Sequence, residues 1–284
     1  MKIFCRVNPE MMPLIRLSFF PNSILGALFC SCSLLFIQYG WAGAEQNGAR
    51  QNDKFEIFFE EVYTNRTKGE KQLLIFVHGT PGSASGFRGY LADENLRARF
   101  HMISVTRPGW VDPDSEKVPS LDHQAAALEP LLKRDTSGRG AILMGHSYGG
   151  PVIARTAMDY PDLVGGLVFV ASTGDPDLSG PRWYNRFAVI LPKFLLGAQL
   201  KGANQEIMPL KAQLEDMLPR WKNIKLPVLI VQGDKDKLVD PNNALFLREQ
   251  LVNSKVTYLH REGAGHFVLW EQSDLISNTI LEIF

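Results

Sequence analysis

Ala141-Ile142-Leu143-Met144-Gly145-His146-Ser147-Tyr148-Gly149-Gly150-Pro151 is the stretch that decides how this chain folds. Four apolar residues in a row suit a strand buried on both faces of a sheet. From Pro151 to Tyr160 the pattern is helical, and proline is tolerated in the first turn because its missing N–H would be unpaired there anyway. Between them lies Gly-x-Ser-x-Gly, a nucleophile elbow in the context it requires, after a strand and before a helix. A chain that reverses so sharply forces Ser147 into a strained backbone conformation. Its neighbours two residues away must then lack side chains, a demand that Gly145 and Gly149 meet. The turn presents the serine hydroxyl at a helix start, where the dipole favours developing negative charge.

Outward from the elbow, short apolar runs alternate with helical segments. Leu73 to Val77, His101 to Val105, Leu167 to Val170, Val228 to Val231 and Val256 to Leu259 read as further buried strands. Lys54 to Tyr63 alternates in part and reads as an early edge strand, after a polar linker at 45–53. Helices are expected over Leu121 to Leu132 with Ser120 as N-cap, over Asn243 to Val252, and over Ser273 to Phe284. The alternation predicts an α/β fold, a mostly parallel central sheet with helices on both faces. More than fifty residues separate Ala171 from Val228, too many for a structureless loop in a compact domain. With Trp183, Tyr184, Phe187, Phe194, Met208, Met217 and Trp221, residues 173–226 read as a small helical cap inserted before the next strand, its aromatics forming the cap's own core.

A serine hydroxyl needs a base to take its proton. His266, in Gly263-Ala264-Gly265-His266-Phe267 after the last strand, stands where a glycine-flanked loop brings an imidazole toward the elbow. The base needs an anion to set its tautomer. Asp234 and Asp236 both follow the strand ending at Val231; Asp236 is favoured because the residues between let the loop turn back, leaving Asp234 to cap the turn. Asp175 and Asp177 are more distant alternatives. His78-Gly79-Thr80-Pro81-Gly82 follows the first buried strand, and the backbone N–H groups of Thr80 and Tyr148 are the expected oxyanion donors, since Pro81 has none to give. His78 is expected to buttress this loop, and His146 to point into packing.

Composition sets the bounds. The 284 residues carry 30 basic and 30 acidic side chains, so nothing suggests a nucleic-acid partner. No metal-binding or nucleotide-binding motif is present, so no metal and no other cofactor is expected. Lys2, Arg6 and Arg16, then an apolar stretch from Ile24 to Ile37, then Ala42-Gly43-Ala44, read as a secretory signal peptide cut after Ala44. The rival is an uncleaved membrane anchor extended through Gln38 to Trp41; Phe29 before Cys30 fits a lipid-attachment site poorly. All three cysteines lie in this leader, so the domain at 45–284 would depend on its core without disulfides, in a periplasm or outside the cell. Membrane contact is expected only if the leader is retained.

Taken together, His78-Gly79-Thr80-Pro81-Gly82, Arg107-Pro108-Gly109-Trp110, the elbow, Gly233-Asp234-Lys235-Asp236 and Gly265-His266-Phe267 resemble the α/β-hydrolase superfamily, from about residue 70 to the C-terminus and in its order of nucleophile, acid and histidine. Within it the chain is similar to the capped serine esterase, haloperoxidase-like and C–C hydrolase branch. The resemblance implies catalysis without a cofactor on a small-molecule substrate. Ester cleavage, or thioester cleavage, through an acyl-enzyme is the expected reaction. An aminopeptidase or amidase of the proline iminopeptidase type is the alternative, with Glu206, Glu215 or Asp216 in the cap to recognise an amine, although Thr80 and Tyr148 replace the Gly and Trp usual in that class. A non-catalytic binding protein on this fold is the third reading. Ser147 excludes the branches that use an aspartate nucleophile. Thr106 stands where the family often has Asp, and the early strands look abbreviated, so fewer than eight strands are expected.

Overall fold

The computed structural model describes residues 3–6, 57–62, 71–112, 114–190 and 197–284, with the side chains of 3–6, Tyr184 and Phe187 excepted. Eight strands form one sheet: β1 (Ile3–Arg6), β2 (Ile57–Val62), β3 (Gln72–Val77), β4 (Phe100–Thr106), β5 (Ala141–His146), β6 (Val164–Val170), β7 (Val228–Gly233) and β8 (Val256–Arg261). Their spatial order is β1-β2-β4-β3-β5-β6-β7-β8. The β2–β4 pair is antiparallel and every other pair parallel. The chain from Ile57 onward supplies seven of these strands; the eighth comes from the stretch read as a leader. The linker at 45–53, the cysteines at 30 and 32 and the cleavage site at Ala44 lie outside the described residues.

Each central strand is buried on both faces, as continuous apolar runs demand. On β3, Leu73, Ile75 and Val77 point into one core and Leu74 and Phe76 into the other. The first core is closed by α3 (Leu121–Leu132) and α4 (Gly149–Asp159). The second is closed by α1 (Arg88–Ala92), α2 (Glu94–Arg99) and the terminal helices α9 (Val268–Glu271) and α10 (Ser273–Ile283). Ser120 caps α3 by accepting from the His123 N–H at 3.3 Å. One expectation needs correcting: β8 is only half-buried, because it is the sheet's far edge and has a neighbour on one side alone.

Helices fill the long connection between β6 and β7: α5 (Trp183–Ile190), α6 (Ala198–Ile207), α7 (Leu210–Met217) and a 3-10 turn at Leu218–Asn223. Of the aromatics expected to form the cap's own core, the two whose side chains are described, Trp183 and Trp221, go to different places. Met217 and Trp221 are fully buried, but in the core beneath the sheet, beside Phe169 and Phe246. Trp183 is 79% exposed. Phe194 and the side chains of Tyr184 and Phe187 lie outside the described residues. After α7 the insertion is thus part of the main body. α8 (Asn242–Gln250) then connects β7 to β8.

Candidate active site

Parallel strands deliver their C-terminal ends to one edge of the sheet, and the candidate residues come from loops at that edge. Ser147 follows β5, where it adopts φ +53°, the left-handed region that side chains rarely enter. Its N–H donates to the Val170 carbonyl at 3.0 Å, and its own carbonyl accepts from Gly150 N–H at 3.0 Å, so the strained turn is held at both ends. The glycine demand is met in detail. A Cβ on Gly145 would lie 2.5 Å from the Gly149 carbonyl oxygen, and one on Gly149 would lie 2.3 Å from the Val77 carbonyl oxygen. Gly150 is equally constrained: its Cβ would reach 1.6 Å from Ser172 Oγ.

Asp236 and His266 come together across the loops after β7 and β8. His266 Nδ1 donates to Asp236 Oδ2 at 2.8 Å. The other carboxylate oxygen, Oδ1, accepts the N–H groups of Leu238 and Val239, both at 2.9 Å. Burial works to raise the Asp236 carboxyl, but the His266 hydrogen bond and the two backbone donors outweigh it and hold the group below its usual value. Asp236 is therefore an anion, and the proton shared with His266 stays on Nδ1, leaving Nε2 as the atom able to accept another. Asp234 does something different, because its Oδ1 accepts from Gly263 N–H at 2.7 Å and ties down the start of the His266 loop. The Asp175 and Asp177 carboxylates are engaged elsewhere: Asp175 Oδ1 accepts from Asp177 N–H at 2.8 Å, and Asp177 Oδ1 accepts from Lys211 Nζ at 2.7 Å. No hydrogen bond joins Ser147 Oγ to His266 among the described residues; in ligand-free sites such contacts are often long and close only around substrate.

His146 braces the imidazole. Its ring lies 4.8 Å from the His266 ring and edge-on to Trp270 at 4.9 Å. His146 Nε2 lies 3.1 Å from the His266 carbonyl oxygen, which can only accept, so the proton sits on Nε2. Burial first, then the charge of His266, pushes His146 down to about 4, so the ring is neutral. The expected packing role thus becomes a specific one, fixing the backbone that carries the neighbouring histidine.

The loop after β3 lies against the elbow: a Cβ on Gly79 would come within 2.9 Å of Ser147 Cβ. Thr80 N–H, next along, and Tyr148 N–H, at the start of α4, have no backbone acceptor among the described residues. Thr80 Oγ1 is buried there without a hydrogen-bond partner. His78 accepts from Arg107 N–H at Nε2, 3.0 Å, and donates from Nδ1 to the Gly79 carbonyl at 2.6 Å. Burial, then the Arg107 charge, holds it well below the usual value, so it is neutral and committed to the loop.

Sequence reasoning missed the group that organises this loop. The Arg107 guanidinium is fully buried and uses every N–H it has. Nε donates to the His78 carbonyl at 2.9 Å, one terminal nitrogen to Gln124 Oε1 and Glu206 Oε1 at 2.6 and 2.7 Å, and the other to the Gly79 carbonyl and Glu206 Oε2 at 2.8 and 3.0 Å. It also stacks over the Tyr148 ring, 4.9 Å from its centre. Glu206 belongs to α6 and takes two more donors, Trp110 Nε1 and Gln124 Nε2, both at 2.9 Å. One buried ion pair therefore ties the insertion to the loop after β3 and to the residue after Ser147. The signal was the Arg-Pro-Gly-Trp motif, but its partner lies 99 positions away, beyond local pattern. Thr106, in place of the usual Asp, holds the next turn by accepting from Ala84 N–H at 2.9 Å.

No group of residues able to hold a metal ion occurs among the described residues. A hollow on the insertion, bordered by Pro176, Leu178, Arg182, Arg186, Met208 and Lys211, does not include the serine, the histidine or the aspartate.

A mostly parallel α/β sheet with a strained serine elbow at its centre and an Asp–His pair on the loops beyond defines the class of protein. Residues 74–278 match the Alpha/beta hydrolase family, and the chain belongs to that family of hydrolases. It is 26% identical over 264 residues to a 2-hydroxy-6-oxononadienedioate/2-hydroxy-6-oxononatrienedioate hydrolase of Paraburkholderia phymatum, spanning 78% of this chain and 90% of that one. It is 22% identical over 254 residues to the monoglyceride lipase of Homo sapiens, spanning 76% and 82%. The fold is shared with the monoacylglycerol lipase of Paleococcus ferrophilus at a TM-score of 0.62 and 18% identity, over 80% of this chain and 97% of that one.

Proposed function

We propose that this chain is a serine hydrolase that cleaves a carboxylic ester, or a thioester, through an acyl-enzyme. Ser147 Oγ attacks the carbonyl carbon while its proton passes to His266 Nε2, and Asp236 stabilises the imidazolium. The N–H groups of Thr80 and Tyr148 donate to the oxyanion. Collapse expels the alkoxide or thiolate, which takes the proton from His266. Water, deprotonated by the same nitrogen, then hydrolyses the acyl-serine. The observation that carries this reading is the His266 Nδ1–Asp236 Oδ2 hydrogen bond at 2.8 Å, on loops after β7 and β8, with a serine at φ +53° on the loop after the parallel strand β5.

The amide alternative is weakened by what its recognition residues do. Glu206 is consumed by Arg107, Trp110 and Gln124, Glu215 pairs with Lys211, and Asp216 with Arg155. Identity to a dienedioate hydrolase favours a second reading, carbon–carbon cleavage by the same residues. A dicarboxylate substrate needs a cation near the elbow, and Arg107, which stacks on Tyr148 there, has no N–H left to give.

The test is labelling by a fluorophosphonate probe, with mass spectrometry of the labelled peptide, on wild type and Ser147→Ala. Label on Ser147, lost in the variant, is expected, together with turnover of nitrophenyl esters but not aminoacyl nitroanilides. A folded wild-type protein that takes no label overturns the reading in favour of a binding protein. Residues 1–44 are proposed as an export leader cut after Ala44, their retention as an anchor being the other outcome of fractionating the expressed protein; among the described residues no helix is long and apolar enough to cross a membrane.

A further inference from the structure

The outer face of α5 carries side chains that water solvates poorly. Trp183 is 79% exposed, Ile190 74% and Val189 52%, and Leu200 on α6 is 59% exposed. The helix is held from its other side: Asn185 Nδ2 donates to Asn204 Oδ1 at 2.9 Å, and Asn204 Nδ2 to the Asn185 carbonyl at 3.0 Å. At 3.6 residues per turn, Trp183, Arg186, Val189 and Ile190 share about one third of the helix circumference. Arg182 and Arg186 are exposed at the same end. From Leu178 to Gln205 the sequence carries Arg182, Arg186, Lys193 and Lys201 and no acidic residue, in a chain whose charges balance overall.

We infer that this face docks on the surface of an anionic lipid bilayer. An interfacial helix combines aromatic and aliphatic contacts with basic residues that meet anionic headgroups, and tryptophan favours the headgroup level. Each cation near such a surface contributes about 1 kcal/mol, or about fivefold in binding. A second copy of this chain is a poorer occupant, because a two-fold interface sets the same patch against itself and would bring Arg182 and Arg186 against their equals. The contact is assigned to the insertion. It does not depend on the proposed chemistry, and Ser147→Ala is expected to dock as wild type does.

The full chain also contains the apolar stretch at 24–37, so the readout must report on α5 itself. Tryptophan emission is measured on vesicles of neutral or partly phosphatidylglycerol composition with brominated acyl chains, for wild type and Trp183→Phe. The expected result is quenching on anionic vesicles that is largely lost in Trp183→Phe. Arg182→Gln/Arg186→Gln should lower affinity for anionic vesicles about tenfold or more and leave the neutral ones unchanged. Equal quenching in wild type and Trp183→Phe overturns the inference. So does a Trp183→Ser/Ile190→Ser variant that changes only the sedimentation mass by separating two copies.

Discussion

At the scale of the residue, the elbow is the most constrained point in the chain. Gly149→Ala would drive a methyl group into the Val77 carbonyl, a backbone atom that cannot swing aside. The substitution is expected to cost about 2 kcal/mol or more, seen as a lower denaturation midpoint, and to abolish fluorophosphonate labelling. His146 offers a pH prediction. Its pKa is about 4 in the fold, below the ordinary 6.5, so the unfolded chain binds the extra proton first as pH falls. Stability is fully present above pH 6.5 and is lost as pH drops toward 4, by up to about 3 kcal/mol from this ring. His146→Gln keeps an N–H near the Nε2 position but cannot titrate. Urea midpoints measured across that window are expected to fall less steeply in the variant than in wild type.

At the scale of the element, α6 matters for what it holds rather than what it covers. Removing one partner of a buried ion pair strands the other charge, at a cost of about 3–5 kcal/mol. Glu206→Gln strands Arg107 in part, because the amide oxygen still accepts while the amide nitrogen that replaces the other oxygen does not. The thermal midpoint is expected to fall, and ester kcat with it, since the Arg107 bonds to the His78 and Gly79 carbonyls place the Thr80 amide. Fluorophosphonate labelling of Ser147 should slow without disappearing, because Asp236 and His266 are untouched. Loss of stability with unchanged kcat would show that α6 only packs.

At the scale of the whole molecule, the sheet has a strong centre and a weak end. β3, β5 and β7 are completely buried and β6 is buried except at Gly165, whereas β1 contributes four residues at the edge, paired with β2. A chain beginning at Glu45 loses β1 and leaves β2 as the edge. It is expected to keep its circular-dichroism spectrum and its esterase activity within about twofold, because the strand is four residues long, pairs at the sheet's edge and carries none of the candidate site residues. Collapse of the truncated protein would show that the leader is part of the fold.

The difference between sequence and structure follows from the range of the forces involved. Gly145-His146-Ser147-Tyr148-Gly149 announces a strained turn because the clash it avoids is local, and apolar runs announce buried strands because burial is read residue by residue. α3 was legible to its last residue because Ser120 caps it and its apolar positions repeat at the helical period. Asp236 over Asp234 was a local argument too, and the structure places only Asp236 against the His266 ring. What pattern could not reach was pairing between distant charges. Arg107 and Glu206 are each ordinary in sequence, and only packing determines that one neutralises the other beneath the elbow. The same holds for the aromatics of the insertion: composition made Trp183 and Trp221 alike, and tertiary structure put one in water and the other in the core, because neighbours rather than side-chain type decide burial.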